Sequence, residues 1–204
     1  MIAPRHLLPI LALATLGGPA LAAEPVRSLL EMRRERVVIQ EWDLSCGAAA
    51  LATLLNYQHG DPVSEREVAI GLIGRERYVR NPDLVRLQNG FSLLDLKRYA
   101  EERGYVGIGL GGLDLDELIA RAPILVPISR GGYHHFVVFR GRMGNRVLLA
   151  DPAFGTVTMP VQSFEHAWLD LGDLGRVGFF VTRPGEATPP NALAPRAEEF
   201  VSLR

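Results

Sequence analysis

The chain has 204 residues, 48% apolar and 22% charged, enough apolar material for one packed core; a disordered chain, a collagen-like repeat and a multi-span membrane protein are excluded. Lysine and arginine total 22 against 23 aspartates and glutamates, so no net charge draws the protein to nucleic acid or anionic lipid. A single cysteine rules out an internal disulfide and a cysteine-based metal cluster.

Residues 1–22 have the layout of a secretory signal. Arg5 and His6 give a basic start, residues 7–16 are an apolar run too short to span a bilayer, and Ala20-Leu21-Ala22 suits a signal peptidase. Cleavage after Ala22 predicts an exported, periplasmic protein without a membrane anchor. Residues 23–35 read as a lead-in, 36–182 as the folded domain and 183–204 as a flexible tail, since four of the fourteen prolines fall there. A short helix over 196–201 is a weak signal within that tail.

Helical signals fill the first half. Residues 45–57 are apolar or small on every face, as in a helix buried all round, and Gly47, Ala48, Ala49 and Ala50 leave room for close neighbours. Ser64 with Glu67, and Ser92 with Asp95, are N-terminal capping signatures, and Gly104 is a stop. Asp114 or Asp116 opens a short helix ended by Pro123. The connection over 75–89 is rich in arginine and reads as either a solvated link or a substrate-contact loop. Strand patterns follow at 124–128, 134–140, 146–150, 156–159 and 177–182, with helical turns over 161–169. Helices first and an antiparallel sheet second predict an α+β fold.

Cys46 stands at the start of the buried helix, where the helix dipole favours a thiolate; as a lone cysteine it is equally read as a core residue. Gln40, six residues earlier, can offer an amide N–H to an oxyanion. His134 and His135 are adjacent on a strand, so only one faces the cysteine helix. Asp151, one hairpin later, is placed to accept Nδ1–H of His135. Together these residues fill the roles of a thiol acyl-transfer site. Four histidines remain after signal cleavage, without H-E-x-x-H or similar spacing, so no metal site and no cofactor are expected.

The run Gln40-Glu-Trp-Asp-Leu-Ser-Cys46-Gly-Ala-Ala-Ala-Leu resembles the cysteine motif of the C39 peptidases, cysteine proteases of papain-like fold. Gly90-Phe-Ser-Leu-Leu-Asp-Leu resembles the family's middle helix, Pro127 through His135-Phe-Val-Val its histidine strand, and Asp151-Pro its aspartate motif. The resemblance implies a nucleophilic Cys46, His135 as general base and acid, Asp151 orienting it and Gln40 in the oxyanion hole. It also implies that the cysteine helix packs on the C-terminal antiparallel sheet. The stand-alone, exported branch is the nearer match, which implies a peptide substrate in a functional-amyloid export route, either amyloid subunits or other export components. Two departures stand out: Ser45 replaces the acidic residue that often precedes the cysteine, and no transporter segment follows. The competing readings are a non-catalytic peptide-binding adaptor or chaperone, and acyl transfer to an amine.

Overall fold

The structure is a computed structural model and describes residues 27–75, 80–81, 83–87 and 90–202. The expected signal at 1–22 lies outside the described residues, as do 76–79, 82 and 88–89 of the arginine-rich connection.

Eight α-helices and six strands are present among the described residues. The lead-in forms a short helix, α1 (Leu29–Arg34), closed by a capping box between Ser28 and Glu31. The cysteine helix α2 (Cys46–His59) is buried from Cys46 through Leu55 and stops at Gly60, which takes the left-handed conformation at φ 65°. Capping boxes at Ser64 and Ser92 start α3 (Glu65–Ile73) and α5 (Leu93–Glu102), with a single turn, α4 (Leu84–Leu87), between them. Of the two aspartates that compete to open α6 (Leu115–Ala120), Asp114 is the cap.

The strands are β1 (Val106–Leu110), β2 (Ile124–Arg130), β3 (Tyr133–Met143), β4 (Arg146–Asp151), β5 (Gly155–Pro160) and β6 (Gly178–Thr182). They form one antiparallel sheet in the order β1-β6-β2-β3-β4-β5. Strand β1 has no counterpart in the sequence pattern because its alternate residues are glycines. Gly107 is required by packing: a Cβ there would sit 2.9 Å from Lys97 Cγ and 3.2 Å from the Phe179 ring. Helix α7 (Val161–Ala167) occupies the segment read as helical turns.

Alternation along β3 and β4 divides the core. Val138 and Ala150 join α2, α3 and α5 in one apolar cluster, while Val137, Phe139, Val147 and Leu149 join Leu118 of α6 and Phe164 of α7 in the other. The sheet is therefore covered by helices on both faces, as expected of an α+β chain whose cysteine helix packs on the sheet.

The segment after 182 differs from its reading as a loose tail. Leu193 is fully buried, Gln58 bonds the 189–192 stretch, and the chain ends in α8 (Ala197–Ser202). Glu199 of that helix meets Arg36 at 2.8 Å and Arg140 at 2.9 Å. Arg140 is 0% exposed, so the tail supplies the counter-charge for a guanidinium inside the protein. Composition misled here because prolines disfavour helix and strand but do not prevent an extended segment from packing.

Candidate active site

The site is assembled at one end of the sheet, where α2 begins. His135 lies near the start of β3, and Asp151 ends β4. The β3–β4 register pairs Val138 with Ala150, so one step further Asp151 lies opposite Val137, a diagonal neighbour of His135 on the same face. His134 is exposed and His135 is 6% exposed, which separates the two candidates.

Asp151 is enclosed by donors. Its Oδ1 lies 2.7 Å from His135 Nε2 and accepts from Ala153 N–H at 2.9 Å, and its Oδ2 meets Arg130 at 3.3 Å. Contact is through Nε2, not the Nδ1 expected from the sequence. The thiol of Cys46 is the ring's second hydrogen-bonding partner. The expectation carried over the serine-protease arrangement. Here the ring presents Nε2 to the strand end that carries Asp151.

Burial disfavours a charged His135, but hydrogen bonds to Asp151 and Cys46 and their negative charges outweigh it and lift the imidazole to about 9. Cys46 is 2% exposed and is the free thiol of the chain.

Gln40 is half-buried beside His135. Its Nε2 donates to Trp42 O at 2.9 Å and reaches Asp43 O at only 3.5 Å. Its backbone N–H donates to Pro152 O at 2.9 Å, tying the loop before the cysteine to the loop after Asp151. The sequence reading missed three further neighbours. Tyr133 bridges the two halves by donating its hydroxyl to Asp43 O at 3.2 Å, and burial together with charge at Cys46 and Asp43 pushes its phenol up. Arg130 lies over the Phe154 ring, 4.3 Å from its centroid. Glu65 is buried and accepts hydrogen bonds from Glu41 N–H and Ser45 Oγ. Its signal was misleading, since an acidic residue in a first helical turn reads as a solvated cap.

Two cavities meet at His135. One of about 400 Å³ is mostly apolar, walled by Phe91, Leu94, Pro127, Phe136, Leu171 and Leu174. The other, of about 360 Å³, is lined by Gln40, Arg130, Tyr133, Ala153 and Phe154. His135 is the residue that the two cavities share.

The sequence profile of the Peptidase C39 family matches residues 79–171, a span that holds His135 and Asp151 and begins after Cys46. The chain is 38% identical over 162 residues to a "Probable functional amyloid protease FapD" of Pseudomonas aeruginosa, covering 76% of this chain and 69% of that protein. A protein of the same name from Pseudomonas fluorescens is 35% identical over 158 residues, covering 78% and 68%. Among solved structures, a double glycine motif protease from an AMS/PCAT transporter, in complex with the leader peptide, aligns with a TM-score of 0.54 at 24% identity, over 71% of this chain and 89% of that one. The peptidase domain of Streptococcus ComA, a bifunctional ABC transporter involved in a quorum sensing pathway, aligns with a TM-score of 0.56 at 18% identity, over 72% and 97%. These two share the fold.

Proposed function

The chain belongs to the peptidase C39 family, and on that footing we propose that it is an exported cysteine endopeptidase that cuts a peptide bond in a component of a functional-amyloid secretion system. One observation carries the catalytic reading: His135 is bonded to the Asp151 carboxylate, its Nε2 2.7 Å away, and has the Cys46 thiol as a second hydrogen-bonding partner.

In the proposed reaction Cys46 gives its proton to His135, and Asp151 steadies the resulting imidazolium. The thiolate attacks the peptide carbonyl. The oxyanion is met by Cys46 N–H and by the Gln40 N–H that makes only the 3.5 Å contact with Asp43 O, the other amide hydrogen being committed to Trp42 O. His135 then protonates the leaving amine, and water, deprotonated by the same ring, releases the acyl-enzyme. The likeness to amyloid proteases and the signal-like start at 1–22 support an exported substrate of that system.

Incubating the purified protein with amyloid subunits of a functional-amyloid secretion system is the test. Cleavage is expected from wild type, and none from Cys46→Ala, which keeps the native circular dichroism spectrum. Cleavage by Cys46→Ala at the wild-type rate overturns the mechanism. A peptide-binding adaptor would give no cleavage by either protein.

A further inference from the structure

Helices α1, α3, α5 and α6 all begin with a capping box. Helix α2 has a serine in the same place, Ser45, yet its side chain makes no capping bond. The backbone explains why: Ser28, Ser64 and Ser92 have ψ of 153°, 154° and 159°, whereas Ser45 has ψ 12°. Its hydroxyl is turned away, toward Trp42 O at 2.7 Å and Glu65 Oε1. The same Glu65 oxygen accepts Glu41 N–H at 3.2 Å. Glu65 is only 3% exposed, and its Oε2 has no hydrogen-bond partner among the described residues. An incompletely satisfied buried carboxylate costs stability, and this one reaches across to the turn that precedes the nucleophile.

We propose that Glu65 is a positioning residue that holds the 41–45 turn in a non-capping form, keeping the N–H groups of the first turn of α2 open for the Cys46 thiolate. The proposal rests on Cys46 being the nucleophile. A capped helix start would be sturdier, but a Ser45 cap built like those of Ser28, Ser64 and Ser92 would spend the Ala48 N–H, a first-turn donor that otherwise favours the Cys46 thiolate. Without Glu65, Ser45 is free to take the extended cap geometry of its three counterparts and accept an N–H of the first turn.

The test is a double-mutant cycle between positions 45 and 65, read as the second-order rate of Cys46 alkylation by iodoacetamide and as kcat and KM on a cleaved peptide. Glu65→Leu is expected to lower alkylation and kcat about tenfold while position 45 is serine, with KM changing less than about twofold, and to lower them less than about threefold once Ser45→Ala is present. A purely structural loss would be the same in both backgrounds, and that result overturns the proposal. Should the leucine variant fail to fold, Glu65→Asp keeps the charge but withdraws it by one methylene, and the same dependence on Ser45 is required of it. Absent cleavage with the alkylation pattern intact would sink the peptidase reading and leave this inference standing. Normal Cys46-dependent cleavage without coupling would do the reverse.

Discussion

His135 meets Asp151 through Nε2 at 2.7 Å and has the Cys46 thiol as its second hydrogen-bonding partner. Both partners favour the protonated ring and lift it to about 9 despite its burial. In the proposed mechanism that ring must carry a proton when the thiolate attacks. Activity should therefore persist through neutral pH and fall as pH rises past about 9. Asp151→Asn removes one of the two anions and should move this alkaline limb down toward 6.5, with a loss of kcat/KM of at least about 100-fold. A pH–rate profile of both proteins checks this; an unmoved limb would mean that Asp151 does not govern the ring.

The same shift makes folding depend on pH. A group whose pKa is raised on folding stabilises the native state fully below its unfolded value and loses that contribution as pH climbs through the folded one. For His135 the window runs from 6.5 to about 9. Across it wild type should lose about 3 kcal/mol more stability than His135→Phe, by urea denaturation at the two ends of the window. Parallel losses would place the pH dependence elsewhere.

Gly47 sets the distance between the cysteine helix and the histidine strand. A Cβ there would lie 3.3 Å from Phe136 Cδ2 and 3.5 Å from Leu96 Cδ1. Valine would force α2 off β3 next to the very residues that must meet. Gly47→Val is expected to cost about 1–3 kcal/mol of stability through overpacking. Cleavage should fall further than stability does, about 100-fold, because a displacement near 1 Å misaligns thiol and imidazole. Thermal denaturation alongside steady-state kinetics separates the two effects.

Glu199 neutralises Arg36 and the fully buried Arg140 from the far end of the chain. Glu199→Ala leaves a guanidinium inside the protein without its carboxylate and should destabilise it by about 3–5 kcal/mol in chemical denaturation. Truncation after residue 190 removes the Leu193 anchor as well and should cost more. A truncated protein as stable as the full chain would show that the segment merely rests on the surface.

Much of the fold was legible because its signals are local. Ser64 with Glu67 and Ser92 with Asp95 announced two helices, Gly104 ended one, and the hydrophobic runs in β2, β3 and β4 marked strands. What escaped depends on distant partners. β1 exists because β6 pairs with it along its whole length, not because Val106-Gly107-Ile108-Gly109-Leu110 favours a strand. The tail is held by Gln58, Arg36 and Arg140, far away in sequence. The residue types at the candidate site could be read from their spacing, but the ring nitrogen facing Asp151 could not, since it depends on the direction from which helix and strand converge. Glu65 was invisible for a related reason: nothing in Ser64-Glu65-Arg66 tells that α3 turns this carboxylate inward to Ser45.

The recessed thiol carries a consequence for timing. On the proposed function, with Cys46 only 2% exposed, a scissile bond must be pushed inward on a single bare strand. A polypeptide already stacked in a fibril has its carbonyls engaged by neighbours above and below and cannot be threaded in. On the proposed function, cutting is confined to the brief interval when the substrate is newly translocated and shapeless, so order of events, more than a recognition motif, would protect finished fibres from their own protease.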